Sequence, residues 1–201
     1  MQEGRGLLAV WMDPGQGINE DEFNEWYNKE HVPERLGIQG VLSANRFSSL
    51  QGIPRYIALY ELTSIDVLSS DDYLSVRRAV TPWTRRIGRN LERNLRYEYE
   101  LLETIGPQSA EPSPYLMLAR YNLGGEKLPG SSTESDAAQL SLPGIGRVRH
   151  YWTPSGEPKY LSVFEMEDPD VSAKDDWKRL ITDGGAIADV EINVAVPIEI
   201  D

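Results

Sequence analysis

His31 and its neighbour Glu30 are the residues in this chain whose types point most directly to chemistry. An imidazole titrates close to neutral pH, so it can take and give a proton at about pH 7. A carboxylate nearby can orient it. Both belong to the segment FNEWYNKEHVPERL, residues 23–36. At about 100° per residue, Phe23, Tyr27, Glu30 and, slightly off it, Trp26 share one helical stripe, with His31 at its edge. The segment therefore reads as the end of an amphipathic helix that Pro33 closes. A plainer account fits the same pattern: Glu30 and His31 are the solvated rim of that helix, and its C-terminal dipole favours a cationic imidazole.

The elements that must position these groups follow from the flanking sequence. Residues 6–12 form an apolar strand, ended by the turn-forming DPGQG at 13–17. Asn19 followed by Glu22 has capping-box spacing, so the first helix begins near residue 20. GVLSANRF (40–47) and RYIALYEL (55–62) read as two strands joined by a Gly/Pro turn, an antiparallel hairpin. Helical pattern runs from about 71 to 94, with Pro82 in the first turn of a new helix, and 96–105 is a closing strand. The order β-α-β-β-α-β is that of a ferredoxin-like unit.

The Pro/Ser-rich stretch 106–114 reads as a linker, after which the pattern starts again with a strand at 115–122. Residues 40–62 and 144–166 align without a gap: Gly40 with Gly144, Gly52 with Gly156, Pro54 with Pro158, Tyr56 with Tyr160 and Glu61 with Glu165. Matched turn residues in a matched hairpin point to an internal duplication. The final strand is 190–200. The expected organisation is a first ferredoxin-like unit over 1–105, a linker over 106–114 and a second, degenerate unit over 115–201. The fold class is α+β, with the two units packing sheet to sheet as an intramolecular barrel, because each unit leaves one sheet face to be buried. Ile57, Leu59, Leu161 and Val163 are assigned to the helix-facing side. Tyr56, Ala58, Tyr60, Tyr160, Ser162 and Phe164 then line the barrel, as the wall of a small-molecule pocket or as core filling.

The copies differ where the chemistry is. At the same offset His31 meets Ser135, Trp26 meets Gly130 and Tyr27 meets Ser131, so the second unit lacks the aromatic/acid/His helix. One site per chain is expected.

Composition narrows the classes. Lys and Arg number 20 against 32 Asp and Glu, a net charge of −12, which disfavours nucleic acid and anionic membrane surfaces as partners. The pairs Arg77–Arg78 and Arg85–Arg86 are the exceptions, as a local anion site or as solvated helix faces. With no cysteine there is no disulfide, thiol nucleophile or thiolate-bound metal, and with two histidines no multi-histidine metal centre within one chain. No hydrophobic stretch is long enough to span a membrane and no signal peptide is apparent, so a cytoplasmic protein is expected.

Residues 23–36, followed by a glycine and a strand ending Arg46-Phe47, resemble the helix-to-strand signature of EthD-like proteins in the dimeric α+β barrel superfamily. YLSVRRAVTPWTRR resembles the second-helix region of bacterial members. The resemblance covers most of residues 6–105 and rests on strand order and the hairpin beyond 115. It implies a barrel of two ferredoxin-like units. Members include cofactor-free decarboxylases, aldol-type cyclases and monooxygenases acting on aromatic polyketides, and in several a histidine at the position of His31 acts as acid and base.

The expected function is thus a cofactor-independent lyase or cyclase, or a related acid/base enzyme, acting on a small aromatic or polyketide-like molecule, as a monomer with an internal pseudo-dimer or as a homodimer. His31 and Glu30 are the catalytic candidates. Trp26 and Trp83 can stack on a flat ring, Tyr27, Tyr56 and Tyr60 can hydrogen-bond a phenol or enolate, and Arg46 can fork a carboxylate. Arg46 and Trp83 also have structural readings, as side chains covering core edges. The alternatives are a non-catalytic binding protein, with haem held by His31 or His150, and a structural or regulatory protein with a filled core. No metal or cofactor is called for, and no Gly-rich phosphate loop or nucleophile elbow is present.

Overall fold

The computed structural model describes residues 5–107, 112–123, 143–173 and 187–199. Eight strands dominate it: β1 Gly6–Pro14, β2 Val41–Gln51, β3 Tyr56–Leu62, β4 Leu91–Ile105, β5 Tyr115–Leu123, β6 Ile145–Trp152, β7 Tyr160–Met166 and β8 Ile187–Ile198. The helices are α1 Glu20–Trp26, α2 Val32–Leu36, α3 Asp71–Arg78 and α4 Pro82–Arg89. The chain is mixed α+β, and its strands pair antiparallel, in the order β1-β3-β2 in one part of the chain and β8-β5-β7-β6-β4 in the other. No helix among the described residues is long and apolar enough to cross a membrane. Two compact units are distinguished, Met1–Ser48 with Pro54–Glu98 and Ile198–Asp201, and Ser49–Ile53 with Tyr99–Pro197.

In the first unit β3 lies between β1 and β2, antiparallel to both. Its local signals do what their chemistry dictates. The Asn19 side chain accepts the Glu22 amide at 2.7 Å and starts α1. Ser70 and Thr81 do the same for α3 and α4, and Pro82 stands in the first turn of α4. One face of the β1–β3–β2 sheet is covered by these helices. Leu8, Met12, Tyr56, Ala58 and Tyr60 from the strands pack there with Phe23, Trp26, Tyr27, Val32, Tyr73 and Ile87 from the helical segments. This reverses the expected facing: Tyr56, Ala58 and Tyr60 meet the helices, and Ile57 and Leu59 are buried by the other face. Alternation decides which residues share a face, but which face the helices take depends on what they bring. Here they bring aromatic rings, and the tyrosines meet them: Phe23 and Tyr56 are 4.9 Å apart by ring centroid.

In the second unit β7 lies between β5 and β6, with β8 on the far side of β5. Its core gathers Met117, Ala119, Tyr121, Val148, Phe164, Met166 and Val194. Phe164 packs in this core with Tyr160 at its border, and Leu161 and Val163 are not part of it. His150 is buried in this unit, its Nδ1 2.7 Å from Ser162 Oγ, which is 2.9 Å from the Tyr121 hydroxyl. Burial holds its pKa down at about 4, and it is a hydrogen-bonded strand residue.

The hairpins have matching detail. Ala44 pairs with Tyr60 and Val148 with Phe164, and each hairpin carries a register shift, at Val41/Ser43 and at Ile145/Arg147. Gly40 and Gly144 both have φ near +90°, and a Cβ on either would press on Val67 or Val171, at 2.6 and 3.0 Å. Short 3-10 turns follow at Ile65–Ser69 and Pro169–Ala173. The second unit's counterpart of the His31 helix, 124–142, lies outside the described residues, as do residues 108–111 of the 106–114 linker.

Candidate functional site

The helix that carries His31 does not stop at Pro33. A five-residue π-turn, Tyr27–His31, joins α1 to α2, and the Val32 amide donates to the Tyr27 carbonyl. Pro33 sits in the first turn of α2, which ends at Leu36. Its missing N–H and its ring both disfavour a regular turn at this point, and a wider turn accommodates them. The consequence is positional. In an α-helix residues five apart point about 140° away from each other. Through the π-turn the Trp26 and His31 rings instead lie 4.3 Å apart by centroid, tilted by 31°. His31 is thereby moved from the edge of the aromatic stripe onto it.

There it lines a cavity of about 220 Å³ in the first unit, between α1–α2, α3–α4 and the β1–β3 face. Leu8, Val10 and Met12 form its apolar wall, and Trp26, Tyr27 and Tyr60 its aromatic one. The Tyr27 and Tyr60 rings stand edge-on to His31, at 5.2 and 6.4 Å. The Tyr27 hydroxyl is turned to Met12 Sδ at 3.0 Å, leaving the neighbouring Tyr60 hydroxyl without a partner in hydrogen-bonding geometry. His31 Nδ1 and Arg35 Nη1 are likewise buried and unpartnered. Three orphaned polar atoms thus belong to residues lining one cavity. Each is a cost of roughly 1–3 kcal/mol.

The electrostatics correct one expectation. His31 does not titrate near neutrality: burial first, then the Arg35 and Arg46 guanidiniums, push its pKa down to about 3. At pH 7 the ring is neutral. Burial raises Tyr27 to about 12 and Tyr60 well above the ordinary phenol range, so both are hydroxyl donors at neutral pH.

Trp26, Tyr27, His31 and Tyr60 therefore share this cavity, whereas Glu30, Arg46, Tyr56 and Trp83 are not among its lining residues. Glu30 does not orient the imidazole. Its carboxylate accepts from the Thr81 and Thr84 hydroxyls at 2.6 and 2.5 Å, and Thr84 accepts from Trp26 Nε1 at 2.9 Å. Burial acts to raise the Glu30 pKa, but these bonds outweigh it and hold it below the ordinary value. Glu30 thus sets the Trp26 ring, and through that ring the stacking of His31. Arg46 lies 4.0 Å above the Tyr27 ring, with its fork held by Asn24 at 2.7 Å and Asn28 at 3.3 Å. It is part of the floor beneath the helix and not a carboxylate clamp. Tyr56 donates a short hydrogen bond to Glu20, and Trp83 packs half-buried against the hydrophobic cluster.

Sequence reasoning missed Arg35, Tyr73, Asn94 and Arg96, and gave Arg77 as one of the Arg77–Arg78 pair, a local anion site or a solvated helix face. Arg35 had a readable signal, since it follows His31 by four residues on one helix. Its guanidinium lies over the Tyr73 ring at 5.4 Å, and the Tyr73 hydroxyl accepts from Arg96 at 3.3 Å. Among the described residues no three His, Asp or Glu side chains gather as a metal site.

No family model matches the chain, and no curated protein does. Solved structures do match over nearly its whole length. A variant chlorite dismutase from Candidatus Nitrospira defluvii has a TM-score of 0.62 at 11% identity, covering 98% of this chain and 93% of that one. A candidate monooxygenase from Lactobacillus acidophilus has a TM-score of 0.58 at 9% identity, covering 96% and 94%. A haem-binding protein from Thermus thermophilus has a TM-score of 0.56 at 12% identity, covering 98% and 92%. These share the dimeric α+β barrel fold, and so does this chain. A haem does not fit the His31 cavity: at about 220 Å³ it lies below the roughly 300–1,000 Å³ typical of sites for drug-sized ligands, and a haem is larger than those. His31 is also stacked on Trp26 with cationic Arg35 and Arg46 near it.

Proposed function

We propose that the chain is a cofactor-independent acid/base enzyme, of the lyase, cyclase or oxygenase kind, that acts on a small aromatic or polyketide-like molecule bearing an acidic phenol or enolisable C–H. The observation that carries this reading is the set of unpartnered polar atoms on His31, Arg35 and Tyr60, three residues lining one aromatic-walled cavity. A neutral imidazole can take the substrate proton, and the electron pair left behind moves onto the substrate oxygen as an enolate or phenolate. The Tyr60 hydroxyl and the Arg35 guanidinium, on residues lining the same cavity, are the donors to that oxyanion in this reading. His31 is a weak base in the free protein because burial first, and then two guanidiniums, oppose its protonation. Negative charge developing on the substrate offsets them, so basicity appears together with the oxyanion. Return of the proton to a different carbon completes an isomerisation. Attack of the enolate carbon on a carbonyl of the same molecule, with the proton delivered to the new alkoxide, completes an aldol-type closure. Where the electron pair comes instead from a C–CO2 bond as CO2 leaves, delivery of a proton to that carbon completes a decarboxylation.

The site residues of this proposal are His31, Tyr60, Trp26, Tyr27 and Arg35, with Glu30 acting through Trp26. We also read the chain as an EthD-like tandem of two ferredoxin-like units, over about 1–105 and 115–201. The matched hairpin registers, positive-φ glycines and 3-10 turns support that reading. Cytoplasmic residence belongs to the same proposal, on the strength of a cysteine-free sequence.

The test is proton exchange into benzoylacetone, whose central C–H exchanges through an enolate, followed by NMR in deuterated buffer. The protein should accelerate it, Tyr60→Phe should slow the catalysed rate about 10-fold or more, and His31→Ala should abolish it. Exchange that is unchanged in His31→Ala refutes the proposal.

A further inference from the structure

The cavity departs from the charge of the whole protein. Acidic residues outnumber basic ones by 32 to 20 in the chain. The cavity, however, is lined by Arg35, Arg77 and Arg96 and by neither Asp nor Glu. The arginines are not equivalent. Arg96 is engaged, donating to Glu98 at 2.5 Å and to the Tyr73 hydroxyl at 3.3 Å. Arg77 is exposed on α3 and makes no hydrogen bond or ion pair among the described residues. Arg35 keeps one buried, unpartnered nitrogen, Nη1, while its guanidinium is spread over the Tyr73 ring. Tyr73 therefore fastens Arg35 by its face and Arg96 by its hydroxyl, which sets two guanidiniums on one wall of the cavity.

A wall of this kind is repulsive to cations and indifferent to neutral ligands, and it selects anions. The geometry narrows the anion further. A guanidinium pairs with carboxylates and phosphates alike, so the number of free donors chooses between them. Only one free nitrogen is buried, enough for a singly charged group, whereas a buried dianion would need several free donors. The opposite wall, with Trp26, Tyr27 and Tyr60, suits a flat ring. We infer that the ligand of this cavity is an aromatic carboxylate, its ring against Trp26 and Tyr60 and its carboxylate on Arg35, with Arg77 drawing it in from solvent. This inference rests on the reading of the His31 cavity as the binding site.

The experiment is calorimetric titration of the purified protein with salicylate, its neutral isostere salicylamide, and phenyl phosphate. Salicylate is expected to bind at least 10-fold more tightly than salicylamide. Arg35→Met should remove that advantage, so that salicylate binds no more tightly than salicylamide. Arg77→Met, at an exposed position where folding is not at stake, should weaken salicylate severalfold and flatten its salt dependence. Equal binding of salicylate and salicylamide overturns the inference, as does an Arg77→Met and Arg35→Met pair that both bind salicylate like wild type. Tighter binding of phenyl phosphate than of salicylate overturns it too, by assigning a different anion. Benzoylacetone exchange is neutral-ligand chemistry and stays separate. If exchange persists while salicylate shows no advantage, the carboxylate inference falls alone. If neither is seen, both readings fall.

Discussion

Replacing His31 by Gln should remove a pH dependence of stability that the wild type shows. In the folded protein the imidazole is held neutral down to about pH 3, while in the unfolded chain it protonates near its ordinary value of 6.5. Below 6.5 the unfolded state therefore binds a proton that the folded state refuses, and stability falls as the pH is lowered from 6.5 toward 3. Linkage between these two values gives a loss of about 2 kcal/mol between about pH 7.5 and about pH 5 from this one residue. Gln cannot titrate, is close to His in size and keeps polar atoms in the cavity. Other groups, His150 among them, titrate in both proteins and cancel in the comparison. Urea unfolding at the two pH values reads the difference. With a slope of about 2 kcal/mol per molar, the wild-type midpoint should fall by about 1 M more than that of His31→Gln. Parallel losses in the two proteins would mean that His31 titrates normally when folded, and the account of a ring buried between two guanidiniums would be refuted.

Two more outcomes follow from the same geometry. Tyr60→Phe deletes a buried hydroxyl whose neighbour, the Tyr27 hydroxyl, is turned to Met12, so thermal scanning should find it as stable as wild type or up to about 1 kcal/mol more so, a rise of about 2–4 °C in Tm, even as exchange of benzoylacetone slows. A clear loss of stability would show that the hydroxyl is satisfied after all. Glu30→Gln weakens the bonds from Thr81 and Thr84 and should cost about 1–2 kcal/mol, with a change in the near-ultraviolet circular dichroism of Trp26. An unchanged Trp26 signal would break the proposed link from Glu30 to the His31 stack.

Among the described residues the sequence by itself determined the element order, because the signals involved are local. Asn19 caps the helix that its spacing to Glu22 announces, Pro82 begins α4, and the glycines at 40 and 144 mark turns that need positive φ. It also singled out the segment around His31, through an aromatic stripe and an asymmetry between two matching halves. What it could not decide is what depends on packing against distant residues. Strand alternation left open which face of β3 meets the helices, and the facing came out reversed once Phe23, Trp26 and Tyr27 were docked on Tyr56 and Tyr60. The regular helical period put His31 at the edge of the stripe, and a π-turn at Pro33 rotated it inward. The tertiary structure alone brought Arg35 of α2, Arg77 of α3 and Arg96 of β4 around one imidazole-bearing cavity, and burial among them turned a residue expected to titrate near neutrality into one held neutral. Local sequence specifies where a side chain is attached, and the environment that sets its charge is assembled from residues far away along the chain.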